Sequence, residues 1–140
     1  MFVEFAYSEQ YFRFKSFLTK SGSNQVPLNV PYDQYDVLIS SRSALKQKFS
    51  NITIAPSGYS NIDYYAILGD IDQDNYIGFD DFDLMGLCFN MDISDPFWHQ
   101  HLQKDQAGTP DDCDLDRDGF VGFDDFDFIA NNFNSVGDTL

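Results

Sequence analysis

Residues 70–90 and 114–134 of this chain are one pattern written twice. The first reads DIDQDNYIGFDDFDLMGLCFN, the second DLDRDGFVGFDDFDFIANNFN, and 11 of the 21 aligned positions are identical at an offset of 44 residues. Most remaining differences are conservative, as in Ile71/Leu115, Tyr76/Phe120 and Ile77/Val121. The shared positions include a comb of aspartates at alternate residues. Two carboxylates about 4 Å apart repel by roughly 4 kcal/mol at an intermediate dielectric, so a fold that gathers them needs a cation between them.

The spacing points to the cation. A twelve-residue calcium loop takes side-chain oxygens from positions 1, 3, 5 and 12, a backbone carbonyl from 7 and often a water at 9. Loop one supplies Asp70, Asp72, Asp74, the Tyr76 carbonyl, a water at Gly78, and Asp81. Loop two supplies Asp114, Asp116, Asp118, the Phe120 carbonyl, a water at Gly122, and Asp125. Position 6 must turn sharply. Gly119 does so freely, and Asn75 is among the side chains that tolerate positive φ. An all-oxygen, hard donor set suits calcium over zinc or copper, and two calcium ions are expected. The competing reading is a pair of solvated acidic turns; duplication with every ligand position kept weighs against it.

Each loop runs into a helix. Residues 81–90 and 125–134 are expected to be helical, with Phe82, Met85 and Phe89, and likewise Phe126, Ile129 and Phe133, spaced i, i+3, i+7 on one face. Asp80 and Asp124 are the expected N-caps, and Asp83 and Asp127 place further negative charge toward the positive end of the helix dipole. No helix is expected before either loop. A strand-like run precedes Asp70, and a segment interrupted by Gly108 and Pro110 precedes Asp114. The linker 91–112 contains Pro96, where a middle helix could start.

Duplicated calcium loops with an exit helix and no entering helix resemble the dockerin module, over residues 69–140. The resemblance implies two calcium ions and a cohesin domain as protein partner, on an extracellular scaffold. In the best-known subclass it also implies partner-reading residues at loop positions 10 and 11. These are often Ser-Thr; here they are Phe79-Asp80 and Phe123-Asp124.

Residues 1–68 follow a different pattern. Runs at 2–8, 11–20, 25–30, 35–40, 46–54 and 62–68 are rich in aromatic and β-branched residues, and turn signals at 21–24, 30–33 and 56–58 separate them. Short strands in this rhythm predict a small antiparallel β-sandwich. This half resembles the transthyretin-like or carboxypeptidase-regulatory-like sandwiches. The fold class expected is therefore α+β in two domains, a β-sandwich over 1–68 and a helical dockerin-like module with two EF-hand-type loops over 69–140.

Charge divides the chain at the same place. Residues 1–69 carry six Lys/Arg and five Asp/Glu, whereas residues 70–140 carry two and eighteen, a net charge of −16. Two calcium ions would offset only four of those charges. Such a surface excludes nucleic acid and anionic membrane as partners. No stretch is long and apolar enough to cross a bilayer, and no signal peptide stands at Met1, so a mature or truncated N-terminus is expected. If the exit helices pack antiparallel, Cys88 near the end of the first lies beside Cys113, just before loop two. The pair then forms either a disulfide, which fits an oxidising compartment, or two unpaired thiols.

Nothing resembles a nucleophile motif, a phosphate loop or a cofactor fingerprint, and His99 and His101 lack further ligands for a metal site. The chain reads as a non-catalytic extracellular structural protein that self-associates into a surface assembly or filament. Its contacts are expected from the first strand, taken as a free edge, or from the linker around Phe97 and Trp98. Alternatives are docking to a cohesin-like receptor, or carbohydrate binding through Tyr32, Tyr35 or Tyr59.

Overall fold

The structure is a computed structural model, and it describes residues 2–7, 10–15, 30–56, 62–100 and 108–140. The expected strand over 25–30 lies almost wholly outside them, as does Tyr59. The chain divides into two compact units. One comprises 1–41, 46–65 and 138–140, and the other 42–45 and 66–137.

The first unit is built on one antiparallel sheet of β1 (Phe2–Tyr7), β2 (Gln10–Lys15), β3 (Asp33–Ser40) and β4 (Gln47–Ile54), in the order β2-β1-β3-β4. Alternation in β3 turns Tyr35, Val37 and Ile39 to one buried face, where Phe49, Ile52, Ile54, Ile62 and Tyr64 pack against them. The ladder between β3 and β4 slips between Tyr35 and Val37, and Asn51 opposite takes φ 60°. Three expectations change here. β1 is not a free edge, because β2 pairs with one side of it and β3 with the other; the edges are β2 and β4. Tyr35 is not a surface aromatic: its ring is in the core and its hydroxyl donates to the Pro31 carbonyl at 2.7 Å. Residues 62–68 form no strand; Leu68 makes a single bridge with Ala44.

The second unit has α1 (Phe79–Cys88), a one-turn α2 (Pro110–Cys113) and α3 (Phe123–Asn132). The helices after the loops start two residues earlier than expected, with Gly78 and Gly122 as N-caps in place of Asp80 and Asp124. The reason is local. Asp81 and Asp125 sit at the third helical position, and each accepts a hydrogen bond from the backbone N–H of its capping glycine at 2.8 Å. A one-turn helix also stands before loop two, where none was expected. Pro110 suits its first position, and Asp112 accepts from both the backbone N–H and the hydroxyl of Thr109. No helix starts at Pro96; residues 96–99 form turns. These turns place Trp98 in the core at 2% exposure, so it is unavailable as a contact surface.

The sequence repeat becomes a pseudo-twofold arrangement. Ile77 of loop one exchanges backbone hydrogen bonds with Asn134 and Ser135 beyond α3, and Val121 of loop two does the same with Asn90 and Met91 beyond α1. The bridges Tyr76–Val136 and Phe120–Asp92 extend the same pairing. Three edge-to-face aromatic pairs obey it too. Phe79–Phe133 and Phe89–Phe123 are each other's counterparts, and Phe82–Phe126 joins equivalent positions. The core between the repeats contains Ile71, Ile77, Leu84, Met85, Val121 and Ile129. Of the residues expected to share one face, Met85 is buried but Phe82 and Phe89 are 40% and 38% exposed, and Leu84 and Cys88 are buried with Met85.

Two further features close this unit. Leu45, 1% exposed, joins its core although it lies in sequence between β3 and β4. Cys88, the last residue of α1, is disulfide-bonded to Cys113, the last residue of α2. A cross-link over a sequence separation of 25 stabilises a fold by about 3 kcal/mol through the unfolded chain.

Candidate metal centre

Each loop folds its aspartates inward by hydrogen-bonding them to its own backbone. In loop one, Asp72 Oδ1 accepts from Asp74 N, Asp74 Oδ1 from Tyr76 N, and Asp70 Oδ2 from Asn75 N. In loop two, Asp116 Oδ1 accepts from Asp118 N, Asp118 Oδ1 from Phe120 N, and Asp114 Oδ2 from Gly119 N. Position 6 turns with φ 75° at Asn75 and 92° at Gly119. Gly78 is needed for space: a Cβ there would lie 2.5 Å from the Tyr76 ring, so the ring would have to move.

Asp81 reaches back over loop one from the first turn of α1. Its Oδ1 accepts from the N–H groups of Ile71 and Asp72 at 2.6 and 3.2 Å, and its Oδ2 from Gly78. Asp125 repeats this with Leu115, Asp116 and Gly122. Both carboxylates are 1% exposed. Each ties the start of its loop to the helix that leaves it.

The result is two concentrations of negative charge. Carboxylate oxygens of Asp70, Asp72 and Asp74 lie within 4.8 Å of one another, and so do those of Asp114, Asp116 and Asp125. Of the other expected ligands, Asp81 faces loop one through its backbone bonds, and Asp118, exposed, caps the turn of loop two. Tyr76 and Phe120 stand in the bridges to Val136 and Asp92, and Gly78 and Gly122 are the helix caps.

Electrostatics mark the first cluster most strongly. Burial, then the charges of Asp81, Asp72 and Asp74, push the Asp70 carboxyl up to about 7. Burial also raises Asp72, Asp81 and Asp114 from the usual carboxylate range. Among the described residues, Asp70 Oδ1 is the buried side-chain oxygen without a hydrogen-bond partner. An orphaned acceptor at 2% exposure, facing other carboxylates, is a costly arrangement unless a cation completes it. The residues therefore fit a bound cation, and an all-oxygen donor set fits a hard one.

Sequence reasoning missed the groups that anchor the start of loop two. Arg42 pairs with both Asp111 and Asp112 and donates to the Thr109 hydroxyl, and the Ser43 hydroxyl donates to the Asp112 carbonyl at 2.8 Å. Nothing in the local sequence ties residue 42 to residue 112. Asn132 was also missed. It is the aligned counterpart of Cys88, and its side-chain amide donates to the Leu68 carbonyl at 2.8 Å, beside the start of loop one. The alignment of the repeats could have found it.

No protein-family model matches the chain, and no curated protein does. Solved structures that share its fold include two interface mutants of a type II cohesin–X-dockerin complex from Acetivibrio cellulolyticus, one altered at the C-terminal interface and one at the N-terminal interface. A chain of each matches at 18% sequence identity over 96% of this chain and 82% of the solved one, with TM-scores of 0.59 and 0.58.

Proposed function

We propose that the chain is a non-catalytic, calcium-dependent docking protein of the dockerin kind, working outside the cell with a cohesin-like domain as its partner. The observation that carries this reading is the duplicated acidic loop, with its orphaned Asp70 Oδ1, on a fold shared with chains of cohesin–X-dockerin complexes. Two calcium ions would be held by Asp70, Asp72, Asp74, the Tyr76 carbonyl, a water at Gly78, and Asp81, and by Asp114, Asp116, Asp118, the Phe120 carbonyl, a water at Gly122, and Asp125. The ions supply charge neutralisation and nothing else. Their binding would relieve the repulsion within each loop, beside the clamp that Asp81 and Asp125 already make to the exit helices, and so steady the helix faces that a partner would read.

Those faces are unusual in composition. Phe79 and Phe123 are each 76% exposed, and the acidic residues Asp80, Asp83, Asp124 and Asp127 are exposed on the same helices. A complementary partner offers an apolar cleft bordered by lysine or arginine. Self-association is the weaker reading, because the first strand is internal to its sheet and Trp98 is a core residue, which leaves Phe97, 57% exposed, as what remains of the surfaces expected to carry it.

The test is calorimetry and sizing of the pure protein, followed by capture by a panel of cohesin domains with and without a calcium chelator. Two calcium sites, a monomer, and calcium-dependent capture weakened at least tenfold in Phe79→Ala/Phe123→Ala are expected, since buried aromatic anchors carry about 2 kcal/mol or more each. Large polymers of the pure protein in calcium would favour self-assembly instead. Preference for magnesium over calcium would count against the loop assignment.

A further inference from the structure

The two loops are held at their starts by different chemistry. The position equivalent to Cys88 in the second repeat is Asn132, and the position equivalent to Cys113 before the first loop is Gly69. Where repeat one sends a covalent bond from the end of its helix to the residue before loop two, repeat two sends only the hydrogen bond from Asn132 to Leu68. Cys113 is directly bonded to Asp114, which is 4% exposed and belongs to the second carboxylate cluster. The nearest ligand on the Cys88 side is Asp81, two helical turns away along α1.

We propose that the Cys88–Cys113 disulfide is a positioning element for the second cation site alone, so that its redox state sets calcium affinity in loop two and not in loop one. The inference rests on the calcium reading above. The oxidised bond keeps Asp114 in place before the ion arrives. A dithiol reductant attacks one Sγ to form a mixed disulfide, and its second thiol then closes a ring and leaves. The protein disulfide gains two electrons and two protons, which the dithiol loses. Cys88 and Cys113 end as thiols, and the start of loop two keeps its other anchors: the turn Pro110–Cys113, Arg42 and Ser43 on Asp112, and the bonds of Asp125 to Leu115 N and Asp116 N. Those remaining anchors predict a partial loss, about tenfold in affinity, within the range of ordinary site-to-site coupling. Coupling of this kind is reciprocal. A tenfold preference of calcium for the oxidised form makes the disulfide harder to reduce by about 30 mV.

The experiment uses the full chain in two backgrounds, Asp70→Ala to isolate site two and Asp114→Ala to isolate site one. Calcium titrations are run oxidised and after dithiothreitol reduction, and repeated with Cys88→Ser/Cys113→Ser. Reduction should weaken binding about tenfold in Asp70→Ala and less than twofold in Asp114→Ala. A second measurement reads the same coupling from the redox side: the disulfide potential of wild type and both variants in a dithiol redox buffer, with calcium or chelator. Calcium should lower the potential by about 30 mV in wild type and Asp70→Ala, and leave it unchanged in Asp114→Ala. Equal loss in both backgrounds, or a potential indifferent to calcium, overturns the proposal while leaving the calcium sites standing. Oxidised wild type that binds no calcium overturns both.

Discussion

Asp70 concentrates the conflict in this molecule. It is 2% exposed, surrounded by like charges, and has one oxygen without a partner. Its carboxyl, ordinarily near 3.8, titrates near 7 in the cation-free fold. The folded state therefore binds the proton more tightly than the unfolded chain. The stability this contributes is complete below about pH 4 and is lost as pH rises toward 7. In chelator the melting temperature of the second unit should fall between pH 5.5 and pH 8; in saturating calcium, where the ion replaces the proton, that fall should disappear. Calorimetry at pH 7 in buffers of different ionisation enthalpy should show at least about half a proton released per molecule as calcium binds. Asp81 has a different role. Its three backbone hydrogen bonds clamp loop to helix without any ion, so Asp81→Ala should destabilise the second unit by about 2–4 kcal/mol even in chelator, read by denaturant unfolding.

At the scale of elements, the repeat supplies its own controls. Gly86 lies in the middle of α1, exposed, and a Cβ placed there meets nothing within 4 Å; its counterpart in α3 is Ala130. Gly86→Ala should stabilise the protein by about 0.5–1 kcal/mol without altering calcium binding, a change visible as a raised melting temperature. The start of loop two offers the opposite case. Arg42→Ala removes the cation facing Asp111 and Asp112 and leaves Asp112, buried, without its ion-pair partner. It should cost about 2–4 kcal/mol in the second unit.

At the scale of the molecule, the compact units do not follow the order of the chain. Residues 42–45 leave the sheet unit after β3 and belong to the second unit before the chain returns as β4, and residues 138–140 go back to the sheet unit. Asp138 seals that return by donating its N–H to the Lys46 carbonyl and accepting from Lys48 N. A chain shortened to residues 66–140 would contain every expected calcium ligand yet lack Leu45 and Arg42. It should melt well below the second unit of the full protein. Leu45→Ala alone should remove about 2–5 kcal/mol from that unit, because a large buried side chain is lost from a packed core. Equal stability of the shortened and full chains by calorimetry would sink this reading of the boundary.

The sequence by itself determined the loops, because their physics is local. Aspartates at alternate positions, a residue able to take positive φ at position 6, and an acidic side chain at the twelfth position act within twelve residues, and the structure gathers carboxylates in both loops. The exit helices are legible for the same reason, though the capping choice is not, since the twelfth-position spacing marks Asp81 and Asp125 as ligands and says nothing of their bonds to the capping glycines. Strands β3 and β4 announced themselves by alternation. What only the tertiary structure decided is every long-range pairing. It buried Tyr35 and Trp98, placed β1 between two neighbours, joined Arg42 to Asp112 seventy residues on, and packed Leu45 into the core of the second unit. A contact between residues so far apart depends on which surfaces are left to bury once the local elements have formed, and no residue's immediate neighbours in the chain specify that.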